Sequence, residues 1–184
     1  GAMTARLETA IGAVPQLAPY GDALRAVFAR VADLEEIEVQ KIHGDLHLGQ
    51  TLRTSLGWKI VDFEGEPAKP LPERLLPDSR WRDVAGMLRS FDYASHAVLH
   101  QQPDINPEVV TELEELLAQR ATEWANRARN HFVVAYGGDL TRDQRILLDA
   151  YVADKAVYET VYEARNRPSW IDIPLEAVAR IGAS

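Results

Sequence analysis

Apolar residues recur along this chain at helical spacing in four places. From Asp22 onward, Leu24, Val27, Phe28, Val31 and Leu34 fall three or four apart, which predicts an amphipathic helix with Asp22 as its N-cap. A shorter helix is expected over residues 4–13, stopped by Pro15 and Pro19. After Asp78 or Ser79, either of which suits a cap, Val84, Leu88 and Phe91 form a second stripe. A third helix is predicted from Pro107 to about Tyr136, capped by Asn106 and ended by Gly137-Gly138, with Val110, Leu113, Leu117, Trp124 and Phe132 along it. The fourth starts at Thr141, with Gln144 completing a capping box. It carries Ile146, Ala150, Ala153, Val157, Val161 and Ala164 to about Asn166. Only one region reads as sheet. Thr51–Thr54 and Trp58–Val61, joined by Ser55-Leu56-Gly57, predict a hairpin with a three-residue loop, and Val39–Ile42 predicts a short strand before it. Four prolines between Pro67 and Pro77 predict an extended connection, and Gln101–Pro107 a polar break. The fold class is therefore α+β and mainly α, with a small β-hairpin.

Composition narrows the function classes. The 184 residues suffice for one domain with a real core, or for one lobe of something larger. A net charge of −8 argues against nonspecific nucleic-acid binding, which relies on Lys and Arg to neutralise phosphates. The absence of cysteine excludes disulfides and thiolate chemistry. No apolar run approaches the roughly 20 residues that span a bilayer, and no signal peptide is recognisable, so a cytoplasmic protein is expected. Gly1-Ala2-Met3 has the look of a vector-derived remnant.

Candidate chemistry gathers around the hairpin. The stretch His43-Gly44-Asp45-Leu46-His47-Leu48-Gly49-Gln50 is answered by Asp62-Phe63-Glu64-Gly65-Glu66-Pro67. A carboxylate and an amide oxygen are hard donors of the kind Mg²⁺ takes, with water and phosphate filling its other positions. A further carboxylate can accept the proton of an attacking hydroxyl. If Thr54 pairs with Trp58, Gln50 falls opposite Asp62, about 5 Å away on an antiparallel pair. Gln50 and Asp62 are thus the expected metal ligands and Asp45 the expected base. His47, two residues from Asp45, is a supporting residue placed to touch phosphate or orient the loop; it also permits a zinc-hydrolase reading, although His96, His100 and His131 lack ligand spacing. Glu64 and Glu66 fit either contacts behind the metal or an exposed acidic turn. Asp83 sits where the helix dipole favours a carboxylate. On the last long helix, Lys155, Glu159, Tyr162, Glu163 and Asn166 share a second face. Glu159, Tyr162 and Glu163 could grip a sugar, with acceptors for hydroxyls beside a flat ring, or simply form a solvated face. Trp170 is a weaker sugar candidate and equally suits the core.

These motifs resemble the protein-kinase-like phosphotransferases of the aminoglycoside-phosphotransferase branch. The kinase loops H-R-D-x-x-x-x-N and D-F-G are matched by His43-Gly44-Asp45 with Gln50 and by Asp62-Phe63-Glu64. The blocks HGDLHLGQ, VDFEGEP, RDVAGMLRSFDYA and DKAVYETVYEARNRPSW are more narrowly similar to bacterial maltokinases and glucosamine kinases, from Val39 to the C-terminus. The resemblance implies a kinase C-terminal lobe over 39–184 behind a helical lead-in at 4–38. It also implies ATP and Mg²⁺ as cofactors, His43 and Asp83 as props of the catalytic loop, and an acceptor site near Glu159–Glu163. Neither G-x-G-x-x-G nor G-x-x-x-x-G-K-[ST] occurs, and no V-A-I-K-like strand is present. The nucleotide-covering N-terminal lobe is accordingly expected as a partner on the same protein, and this chain alone is expected to bind ATP weakly and turn over negligibly. Family frequency favours maltose as acceptor (giving maltose 1-phosphate), with glucosamine (giving glucosamine 6-phosphate) as the alternative. A non-catalytic sugar-binding or regulatory lobe is the rival from another class.

Overall fold

A computed structural model describes residues 1–66, 70–100 and 107–182. Helix α6 (Arg142–Asn166) is the central strut. Its capping box forms in both directions, Thr141 N–H donating to Gln144 Oε1 (3.0 Å) and Gln144 N–H to Thr141 Oγ1 (3.2 Å). Ala150, Ala153 and Ala156 line one face of α6, and their small side chains let the helices of the lead-in approach closely. Those helices are α1 (Ala2–Ala13) and α2 (Gly21–Val31), joined by a 3₁₀ turn at Pro15–Tyr20. Leu7, Leu17, Leu24, Val27 and Phe28 pack there against Val157 and against Val178 of α7 (Asp172–Gly182). Helices α1 and α2 of the lead-in are thus built into the main core, whereas residues 35–38 are exposed, and α7 is an element that the apolar pattern did not announce. Asp22 is not the cap expected of it. The 3₁₀ turn feeds directly into α2, with Tyr20 at the cap, and Asp22 lies in the first turn paired with Arg25 at 2.8 Å.

A second core cluster joins α4 (Arg80–His100) to the other side of α6, through Trp81, Val84, Ala85 and Leu88 against Leu147 and Leu148. Ser79 is the better of the two proposed caps, its Oγ accepting from Trp81 N–H (3.4 Å). Helix α5 (Pro107–Gly137) covers α4 from one side only, so its apolar stripe is wider than the surface it meets. Phe132 is partly buried, while Leu113 and Trp124 stay exposed, Trp124 reaching Phe91 edge-on at 6.1 Å. The helix ends as expected, with Gly138 in the left-handed region (φ 61°) and its N–H on Val134 O (2.9 Å). The polar break, Asn106 and the side chain of Val110 lie outside the described residues.

The hairpin exists, one residue out of the expected register. Strands β1 (Thr51–Thr54) and β2 (Gly57–Ile60) pair Thr54 with Gly57 and Thr51 with Ile60, around the two-residue loop Ser55-Leu56. Thr54 Oγ1 donates to Gly57 O (2.8 Å) and accepts from Leu56 N–H (3.2 Å), which closes the tighter turn. Val39–Ile42 is not a strand. It makes a single antiparallel bridge, Gln40 to Asp78, having no longer segment alongside to extend a ladder. The proline-rich connection is also not fully extended, since Leu71–Arg74 forms one turn of helix (α3). Pro72 sits in that first turn, where its missing N–H costs nothing. No helix among the described residues is long and apolar enough to cross a membrane.

Candidate active site

One face of α4 holds the loop that carries Asp45. Asp83 accepts from His43 N–H through Oδ2 (2.7 Å) and from Gly44 N–H through Oδ1 (2.9 Å). One turn on, a Cβ at Gly86 would collide with the Leu46 carbonyl, so only glycine lets that backbone lie against the helix. After another turn Ser90 Oγ accepts from Leu48 N–H (3.1 Å) and donates to Met87 O (2.7 Å). Positions 83, 86 and 90 are spaced by three and four, which places them in one stripe. This small and polar stripe fixes residues 43–48, while Val84 and Leu88 face the core.

A second set of contacts joins that loop to the segment after the hairpin. Buried His43 bonds Val61 O through Nε2 (2.8 Å), and Nδ1 accepts from Asp45 N–H (3.4 Å). These two bonds fix the orientation of the ring, with Phe63 packed against it at 4.7 Å. Gly44, at φ 87°, brings its backbone against Gly65, where a Cβ would meet the Gly65 Cα at 3.3 Å. The shifted register sets Gln50 against Val61, whose N–H donates to Gln50 O (3.0 Å). Asp62 nevertheless reaches Gln50, because it leaves the strand with φ 65° and turns its side chain back. Gln50 Nε2 lies 2.8 Å from Asp62 Oδ2.

The donor set at that point fits magnesium. A carboxylate and an amide converge on solvent, and rotating the amide by half a turn presents Oε1 instead of Nε2. Two oxygen ligands from protein, with the rest left to water and phosphate, is how Mg²⁺ is usually held in phosphate-handling sites. Among the described residues no group of three or more His, Asp or Glu is placed to hold a metal. His47 in particular uses Nδ1 to accept from Gly49 N–H (3.1 Å), so the zinc-hydrolase reading finds no ligand cage.

Asp45 opens onto a cleft of about 470 Å³ between the loop, α4 and α6. Lys155 Nζ stands 3.3 Å from Asp45 Oδ1. The cleft is lined by four carboxylates, Asp45, Glu66, Glu159 and Glu163, but by only two cations, Lys155 and Arg167. The partners of the other two acids stand behind the lining: Arg82 pairs with Glu66, and Arg89 Nε donates to Glu159 (2.7 Å). Burial first, then the charges of Glu66 and Asp45, push the Tyr158 hydroxyl above its ordinary value. Tyr93 is held protonated in the same way, by burial and then by Glu159 and Glu163.

The proposed sugar residues separate into two kinds. Tyr162 is exposed at 44 %, stacked on Tyr158 at 6.5 Å, and presents a ring to the cleft. Glu159 lines it with acceptor capacity beyond its bond to Arg89. Glu163 is 1 % exposed and accepts from Tyr93 Oη (2.9 Å) and from both Arg167 Nη2 (2.6 Å) and Nε (2.9 Å). It orients Arg167, whose guanidinium also lies over Trp170 at 4.8 Å. Trp170 is thus a support for Arg167 and does not line the cleft. Glu64 lies on the exposed turn after Phe63. Arg167, Gly86 and Ser90 are site residues that the sequence reading does not reach, while Glu66, which the sequence offers as a contact behind the metal or part of an exposed turn, lines the cleft, as does Lys155 of the second face. The spacing of Asp83, Gly86 and Ser90 was the available signal, and the ion pairs across the cleft had none.

The fold is also found in solved kinases. Two crystal forms of a glucosamine kinase match 97 % of the chain with a TM-score of 0.73, at 24 % and 25 % identity. A glucosamine kinase in complex with glucosamine, ADP and inorganic phosphate matches 97 % of it with a TM-score of 0.69 and 28 % identity. In sequence, the chain is 31 % identical over 186 residues to the glucosamine kinase of Streptacidiphilus jiangxiensis, covering 94 % of this chain and 39 % of that protein. It is 31 % identical over 157 residues to the glucosamine kinase of Mycolicibacterium smegmatis, covering 82 % and 36 %. The chain therefore spans about two fifths of the length of these curated relatives. No family model matches it.

Proposed function

We propose that this chain is the catalytic and acceptor-binding lobe of an ATP-dependent sugar kinase, with glucosamine as acceptor and glucosamine 6-phosphate as product. The observation that carries the reading is the convergence of Asp45, the Gln50–Asp62 pair and an acid-lined cleft on one loop system. Asp45 accepts the proton of the sugar hydroxyl as the oxygen forms its bond to the γ-phosphorus, while the bond to the ADP oxygen breaks. Gln50 and Asp62 would hold Mg²⁺, which would supply charge neutralisation on the phosphate oxygens. Lys155 holds the Asp45 carboxylate in place, and Tyr162 and Glu159 receive the sugar. ATP, Mg²⁺, the sugar and a nucleotide-covering lobe of the same protein are the partners this reading requires.

Glucosamine stands ahead of maltose, which family frequency favoured, because the two curated relatives described above are named glucosamine kinases and the cleft lining is rich in carboxylates. The purely regulatory reading is weakened by the assembled Asp45, Gln50 and Asp62, which a sugar-binding module would not need. Calorimetric titration of glucosamine into the chain tests the acceptor site. Saturable binding, weakened roughly tenfold or more in Glu159→Gln, is expected if a charged hydrogen bond worth about 1.5–3 kcal/mol is lost. Equal binding by wild type and variant, or no binding, would remove the cleft as the acceptor site.

A further inference from the structure

The backbone at Asp62 has φ 65°, and a non-glycine residue stays there only where its surroundings hold it. Upstream the chain is fixed at Val61. Its N–H donates to Gln50 O (3.0 Å), and its carbonyl meets His43 Nε2 (2.8 Å). Downstream, Phe63 and Glu64 form a turn, Gly65 rests on the Gly44 backbone, and the Glu66 carboxylate is held by the guanidinium of Arg82. The upstream anchor is made by the hairpin and His43. The downstream anchor is an ion pair.

Arg82 stands in the first turn of α4 beside Asp83, so adjacent residues of one helix serve both loops. Asp83 accepts from the backbone of His43 and Gly44. Arg82 donates through Nη2 to Glu66 Oε2 and through Nη1 to Asp78 Oδ2 (2.9 Å). The side chains of Arg82, Glu66 and Asp78 are 24 %, 14 % and 28 % exposed, and partly buried pairs keep strength that exposed pairs lose to solvent. Asp78 is itself fixed. Its Oδ1 accepts from Tyr151 Oη (2.7 Å) and Ser79 N–H (2.8 Å), and its backbone bonds Gln40 in both directions (2.9 and 3.0 Å). Arg82 thereby ties the Asp62–Glu66 segment to the one that leads into His43. Its planar fork can serve two carboxylates at once in a fixed geometry.

We infer that Arg82 is a positioning residue for the proposed metal site, holding through Glu66 the turn that presents the Asp62 carboxylate beside Gln50. The inference rests on the reading of Gln50 and Asp62 as the magnesium ligands. Arg82 bonds neither ligand and does not line the acceptor cleft, so its loss acts on metal affinity. Groups that stand behind a metal ligand usually contribute roughly tenfold to a hundredfold to that affinity.

The test is a titration of the ¹⁵N-labelled chain with Mn²⁺, read as paramagnetic broadening of the amides around Gln50 and Asp62. The wild type should show saturable broadening there. Arg82→Gln and Glu66→Gln should each raise the half-saturating Mn²⁺ concentration about tenfold or more. The double variant should lose no more than either single one, because both break the same link. Tyr151→Phe removes a hydroxyl from Asp78 Oδ1 and spares the oxygen that Arg82 uses; it should lower Tm and leave Mn²⁺ affinity unchanged. Wild-type Mn²⁺ affinity in Arg82→Gln, additive losses in the double variant, or an equal loss in Tyr151→Phe would overturn the inference and leave the metal reading standing. Broadening that is absent from the wild type, or unaltered by Asp62→Asn, would remove the metal reading and the inference with it.

Discussion

Asp62 is the one non-glycine residue with positive φ among the described residues, at 65°. Aspartate tolerates this region better than most residues, but it still costs on the order of 1 kcal/mol. The strain has a visible result, since it delivers the carboxylate to Gln50 despite a register one residue away from the expected one. The pairing of Gln50 with Asp62 was legible in sequence, but the route to it was not: alternation along a four-residue strand cannot separate a two-residue loop from a three-residue one. Gly86 offers a test at this scale. Alanine there would raise helix propensity by about 1 kcal/mol, yet its methyl group would strike the Leu46 carbonyl. Gly86→Ala should therefore lower stability by roughly 1–3 kcal/mol through overpacking, measured by urea denaturation. A variant as stable as the wild type would show that the loop is not pinned on α4.

At the scale of elements, α6 and the start of α4 followed their apolar periods and caps closely, because those signals are local. What local signals could not show is which charges meet across the cleft, such as Lys155 with Asp45 or Arg89 with Glu159, since those pairs are set by how helices dock. The junction of α4, α6 and the Gln40 bridge is centred on Asp78. Burial would raise its carboxyl, but the Tyr151 hydroxyl (2.7 Å), Arg82 (2.9 Å) and the Ser79 N–H (2.8 Å) outweigh it and hold the group below its ordinary value. A carboxyl depressed in the folded state adds stability above its unfolded value of about 4, and loses it as pH falls through the lower folded value. Asp78→Asn should accordingly be less stable at pH 7 and show a flatter decline of Tm below about pH 4. Parallel Tm profiles for the two proteins would contradict this role.

Across the whole molecule, two small cores on either side of α6 support one loop system and one cleft, and the N-terminal helices are part of that support. The mainly helical fold with its hairpin was legible because four amphipathic stripes and one alternating pair of strands dominate the chain. The order of preference between acceptors was not, because hydroxyl-binding carboxylates on a helix suit either sugar. Only the acid-rich lining and the named relatives favour the amino sugar. The most direct test uses the protein carrying this chain, incubated with ATP, Mg²⁺ and either glucosamine or maltose, with the phosphorylated product identified by NMR. Glucosamine 6-phosphate should form, and Asp45→Asn should lower turnover by about 10²–10⁴-fold, the usual contribution of a general base. Failure to phosphorylate glucosamine, or an Asp45→Asn protein that retains full turnover, would contradict the account.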